Sequence, residues 1–179
     1  MDKFLQVESH SMRYRSKTCS IESYATRLLK TSRLENGSYS VCIVNGQSLS
    51  GDEPYITLSH CWGRSHHLRL LKSDYEQFSD SVPISELPKT FLDAVTFVQE
   101  LGISYLWIDA LCITQDSDDD EDWAFKAQLM ASIYANAYLT IAATASSDGA
   151  GGLFFSSSYG AASPCIIDTG WMADPPVDI

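Results

Sequence analysis

Residues 103–113, ISYLWIDALCI, are almost continuously apolar and rich in β-branched and aromatic side chains. The run is too short to cross a bilayer, and it reads as a strand covered on both faces. Just before it, LPKTFLDAVTFVQELG carries Phe91, Ala94, Val95, Val98 and Leu101 at three- and four-residue spacing. That stripe predicts an amphipathic helix. Thr90 is its N-cap, Asp93 follows three residues later as in a capping box, and Gly102 is the C-terminal stop. Upstream, Tyr55-Ile56-Thr57-Leu58-Ser59 alternates apolar and polar, as a strand with one face in the core does. Downstream, Trp123, Ala127, Met130, Tyr134 and Ala137 predict a second amphipathic helix, and residues 138–145 (YLTIAATA) predict another strand. The order strand, helix, strand, helix, strand predicts an α/β domain with a mainly parallel sheet, flanking helices and right-handed crossovers. Ligands of such sheets lie beyond the carboxyl ends of the strands. The candidate site residues therefore fall in 59–63, 109–116 and 144–148.

The remaining segments carry weaker signals. Residues 1–23 read as a lead-in and 24–29 as a short mixed run. Asn36-Gly37 is a turn, and residues 40–44 (SVCIV) are a strand closed by Asn45-Gly46. Residues 64–87 read as a loop with one helical turn around 74–78. The tail, 156–179, holds Pro175-Pro176 and one strand-like piece at 164–168, and reads as truncated.

Charge narrows the function classes. The net charge is -11, and it is unevenly spread. Residues 1–72 hold ten Lys/Arg against six Asp/Glu, while 73–179 hold two against seventeen. A domain this acidic repels phosphate backbones, so nucleic acid is not an expected partner. Arg27 and Lys30 in the basic third are open to two roles: pairing with the acidic half or binding a ligand phosphate. No apolar run is long enough for a membrane span, and the N-terminus has no secretory core, so a cytoplasmic location is expected. The five cysteines are odd in number and scattered without CxxC, which fits a reducing compartment. Cys61 and Cys112 fall in strand-like apolar runs, as small hydrophobes.

Several side chains invite chemistry. Asp109 lies within the apolar run, where a carboxylate needs partners; it is either a structural acid on backbone amides or a functional one. His60, Cys61, His66 and His67 suggest a metal or a Cys–His nucleophile. Zinc spacing is absent, and adjacent strand residues point to opposite faces, so no metal is expected. Trp62 suits a wall or lid at the pocket mouth, or a stacking surface for a flat ring. The acidic run 116–122 lacks the glycine and glutamate positions of a calcium loop and reads as a solvated helix start.

Further pieces accumulate: Ala25-Thr26-Arg27-Leu28-Leu29, Leu58-Ser59-His60-Cys61-Trp62-Gly63, Leu87-Pro88-Lys89-Thr90-Phe91, and Tyr105-Leu106-Trp107-Ile108-Asp109-Ala110-Leu111-Cys112-Ile113 with Gln115-Asp116. They continue with Asp122-Trp123, Ile133-Tyr134, Asn136-Ala137 and Gly152-Leu153-Phe154. Together they resemble the fungal heterokaryon incompatibility (HET) domain over residues 24–155. The resemblance implies a role in self/non-self recognition and regulated cell death. It also implies a distantly TIR-like, flavodoxin-like three-layer architecture. NAD+ is then a possible substrate, with no permanently bound cofactor. Protein partners or self-association are implied as well. On that reading Asp109, Asp116 and Glu121 are the candidate catalytic acids, and Ser59, Trp62, Gly63, Gln115 and Trp123 line the nucleotide pocket. One departure stands out: Lys126 occupies the place where the family pattern has an acid. The alternative reading is a non-enzymatic interaction module acting as an adaptor.

Overall fold

The computed structural model describes residues 25–49, 53–63, 68–116, 129–144 and 146–154. Glu121, Trp123, Lys126, His66 and His67 lie outside the described residues, as do the lead-in and the tail.

The part of the mixed run from 27 to 29 belongs to a strand. β1 (Arg27–Arg33) pairs antiparallel with β2 (Tyr39–Asn45), from Arg27 opposite Asn45 to Arg33 opposite Tyr39. The turn between them is the expected Asn-Gly pair. Asn36 Oδ1 accepts from the Ser38 N–H at 3.0 Å, and Gly37 takes φ 83°. Two helices follow β3 (Tyr55–Ser59), namely α1 (Tyr75–Asp80) and then the longer α2 (Lys89–Glu100). β4 (Tyr105–Ile108), α3 (Asp109–Cys112) and β5 (Leu139–Ala142) complete the order.

The five strands form one sheet in the order β2-β1-β4-β3-β5. β3 runs parallel to both β4 and β5, whereas β1 is antiparallel to β2 and β4. The sheet is therefore mixed rather than mainly parallel. A tight turn can join only antiparallel neighbours, so the β1–β2 hairpin brings the antiparallel half; the strands separated by helices supply the parallel half.

Register assigns the two faces. Tyr55 and Thr57 lie opposite Tyr105 and Trp107. On their side the Tyr55 hydroxyl donates to the Ile133 carbonyl at 2.6 Å, and the Trp107 ring meets Tyr134 edge-on at 5.4 Å. Residues 129–136, which are helical, thus cover that face. Alternation sends Ile56, Leu58, Leu106 and Ile108 to the other face. There α2 buries Phe91, Ala94, Val95 and Val98 of the expected stripe; Leu101, its last member, follows the helix end and is 45% exposed. Each large side chain removed from water contributes roughly 1.5–3 kcal/mol. Helices therefore pack on both faces of the sheet.

Two local expectations differ. Pro88, not Thr90, is the N-cap of α2. Thr90 is wholly buried; its N–H donates to the Gly149 carbonyl and its hydroxyl accepts from the Gly152 N–H, each at 3.0 Å. A distant loop has claimed the side chain that local pattern assigned to the cap. The apolar run 103–113 is also not one strand. β4 ends at Ile108, and Ala110, Leu111 and Cys112 are buried in a single helical turn instead. Asp109 starts that turn, where its Oδ1 accepts from the Ala110 N–H at 2.7 Å. An Asp bonded to a neighbouring amide competes with the ladder for the backbone. Among the described residues, no helix is long and apolar enough to cross a membrane.

Candidate functional site

β3 ends at an exposed Ser59, and the chain then turns His60 inward until its side chain is 1% exposed. The imidazole lies nearly parallel to the Trp62 ring, centroids 6.3 Å apart, and edge-on to Phe91 at 4.9 Å. Trp62 is held in turn by Asp109: its Nε1–H donates to Oδ2 at 2.8 Å. His60 Nδ1 lies 3.6 Å from Oδ1, the oxygen that also accepts from Ala110. Asp109 therefore joins the end of β4 to the loop after β3. Its side chain keeps 20% exposure, and a carboxylate with two bonds retains further lone pairs.

The loop after β5 closes against the same place. The Ala143 N–H donates to the Ser59 carbonyl at 2.9 Å, and the Ser146 hydroxyl donates to the Asp148 carbonyl. Gly63 has φ 65°, and a Cβ there would fall 2.5 Å from the Asp148 Cβ. Only glycine lets the 59–63 and 146–148 loops approach this closely.

Tyr134 reaches the cluster from the helical layer. Its stripe position suggested core, and half of that holds, since its ring packs on Trp107. Its hydroxyl, however, donates to the Leu58 carbonyl at 3.4 Å, beside Ser59. Burial and then the negative charge of Asp109 raise its pKa, with the Ser59 hydroxyl offsetting part of the rise. Periodicity shows which side of a helix faces inward; it is silent on where the tip of a tyrosine ends.

Ser59, Trp62, Gly63 and Asp109, separated by up to 50 positions, thus meet at the carboxyl ends of β3 and β4. Gln115 turns to the backbone. Its side-chain amide donates to the Asp109 carbonyl at 3.2 Å and to the Ile113 carbonyl at 2.9 Å, which shapes the turn beneath the carboxylate. Asp116 is exposed, and its carboxylate accepts from the Lys72 N–H at 2.9 Å, bracing the neighbouring loop. Cys61 lies past the end of β3 and is exposed, unlike the buried position expected of it. Cys112 is buried, and burial pushes its thiol up to about 12, so it is inert as a nucleophile. Arg27 lies over the Tyr75 ring at 5.4 Å and donates to the Cys112 carbonyl at 3.4 Å. Among the described residues, no three His, Cys, Asp or Glu side chains are grouped to hold a metal ion.

A clasp fixes the loop after β5. Asp93 Oδ2 accepts from Lys89 Nζ at 2.9 Å and from the Leu153 N–H at 2.8 Å. Burial alone would raise this carboxyl, but the donors outweigh it and hold its pKa below the ordinary 3.8. The clasp therefore stabilises the fold fully above that value, and its contribution is lost as pH falls through the lowered folded value. Acid titration of stability should show a shallower loss below the ordinary value in Asp93→Asn than in the natural chain. Equal slopes would mean that the clasp contributes nothing.

A mixed-sheet α/β domain, with helices on both faces and a polar cluster where parallel strands end, is the class that this fold and site define. Within that class, the chain belongs to the heterokaryon incompatibility protein (HET) family, which it matches over residues 55–174. That stretch contains β3 to β5 and every described residue of the cluster. A 107-residue stretch is 30% identical to heterokaryon incompatibility protein 6, OR allele, of Neurospora crassa. The aligned stretch takes in 56% of this chain and 15% of that much longer relative. No solved structure gives a significant match.

Proposed function

We propose that this domain acts in heterokaryon incompatibility, the fungal self/non-self response, and that it drives regulated cell death from the cytoplasm. The family match and the name of the Neurospora relative support that role. For the chemistry, we favour TIR-like cleavage of NAD+ at the cluster around Asp109. The observation that carries this reading is the convergence of Ser59, Trp62, Gly63 and Asp109 at the carboxyl ends of β3 and β4. β3 is also the strand from which the chain goes to β4 on one side and later to β5 on the other. Open α/β sheets bind nucleotides at such a reversal. In this reading Trp62 walls the nucleotide, and Asp109 steadies the oxocarbenium-like transition state of glycosidic cleavage. Glu121 and Asp116 are the other candidate acids.

One observation favours a second reading, an adaptor without chemistry. Both oxygens of Asp109 already accept bonds, from Trp62 and Ala110. That suits a brace better than a proton carrier.

Expression in a fungal cell, scoring death beside the NAD+ level, separates the two. It is paired with chromatography for nicotinamide after incubating the purified chain with NAD+. Death with nicotinamide release supports cleavage, and death at constant NAD+ supports the adaptor. Absence of death on expression overturns the incompatibility role itself. In the same assays Lys126→Glu should leave the adaptor unchanged, whereas newly gained NAD+ loss would mark a degenerate enzyme.

A further inference from the structure

β5 is the last strand of the sheet, and among the described residues its ladder partner is β3. The opposite edge is protected: α1 packs beside β2, and the Val82 N–H donates to the Val41 carbonyl at 2.8 Å. Among the described residues, β5 shows no such device. Residues 138–144, YLTIAAT, hold no charge, proline or glycine, the features that usually blunt an edge. Tyr138 is 72% exposed and Leu139 39%. In a chain of net charge -11, this neutral strip is where two copies can approach without like charges facing each other.

The strand is also self-complementary. Antiparallel pairing centred on Thr140 sets Thr140 opposite its own copy, Leu139 opposite Ile141 and Tyr138 opposite Ala142. Large then meets small, branched apolar meets apolar, and threonine meets threonine, all favourable cross-strand pairs. Inside the chain, Thr57 Oγ1 and Thr140 Oγ1 are already 2.7 Å apart across the β3–β5 ladder. A hydroxyl donates once and accepts twice, so Thr140 can continue that row into a second copy.

We propose that β5 is the edge along which two copies of this chain join, through a two-fold axis normal to the sheet, into one continuous sheet. The proposal stands on the edge alone and holds whichever chemistry the Asp109 cluster performs. The test is sedimentation equilibrium of the full chain from about 1 to about 100 µM. The expected result is a mass that rises from monomer to dimer. Thr140→Lys, a charge on an exposed edge position, should weaken association at least about tenfold while the far-UV circular dichroism is unchanged. Hydrogen exchange of the natural chain supplies a reading that needs no variant: amides 139–142 should exchange more slowly as concentration rises. A monomer throughout would overturn the proposal, as would a dimer indifferent to Thr140→Lys. Edge protection that does not change on dilution would overturn it too, because another part of the same chain then covers β5.

Discussion

Trp107→Ala is expected to cost about 3–5 kcal/mol of folding stability, from the buried surface lost and the cavity left. Trp107 is 1% exposed and leads the fully buried side chains by volume. It lies in β4 opposite Thr57, with its ring edge-on to Tyr134 at 76°. Domains of this size hold only about 5–15 kcal/mol in total. The midpoint of thermal unfolding should therefore fall by roughly 6–20 °C. Trp107→Phe keeps an aromatic ring against Tyr134 and should lose clearly less. The site should loosen with the core, because Trp107 seats the tyrosine whose hydroxyl sits beside Ser59. Denaturant melts of both variants check this, and a loss in the alanine variant below about 1 kcal/mol would contradict the packing described.

The second large effect is at Asp109. Asp109→Ala removes the acceptor of the Trp62 indole and of the Ala110 amide together. Ala110 is fully buried, so its N–H is left without a partner, at about 1–3 kcal/mol. Trp62 should shift with it, which near-ultraviolet circular dichroism would register. Asp109→Asn discriminates between the two functional readings. The amide oxygen keeps one of the two bonds and most of the fold, but it cannot carry a full negative charge. If the domain cleaves NAD+, the Asn variant should lose nicotinamide release by about a hundredfold or more while staying folded. If the domain is an adaptor, the Asn variant should still kill. A fully active, fully stable Asp109→Ala would remove this residue from both accounts.

The parts of the fold legible in the sequence were those carried by local periodicity. α2 shows its buried stripe at helical spacing, because it must present an apolar face to the core. β3 is a strand as its alternation indicates, but not one with a single face in the core: Thr57 is as fully buried as Ile56 and Leu58, because helices cover both faces of the sheet. The convergence of the candidate residues was legible for a related reason: strand ends in an α/β order are where loops converge, which put Ser59, Trp62, Gly63 and Asp109 in neighbouring loops. β1 escaped because Arg27, Lys30 and Arg33 interrupt its apolar residues. Arg27 is used on the Tyr75 ring of α1 and Arg33 at 3.4 Å from Glu100 of α2, partners that only folding brings beside the strand. The break after Ile108 escaped because a buried strand and a buried helical turn have the same composition.

The sequence by itself determined the alternation of helices and strands, the inward face of α2, and the loops that meet at the strand ends. It could do so because burial imposes a period on the chain. Only the tertiary structure decided that the sheet is mixed, that Thr90 serves Gly152 instead of capping its helix, and that Tyr134 reaches Ser59. It also decided that Asp109 ties Trp62 to the end of β4 rather than standing in a strand. Those outcomes rest on hydrogen bonds between residues dozens of positions apart. Such a bond forms when packing brings donor and acceptor to about 3 Å, a distance that no local pattern encodes.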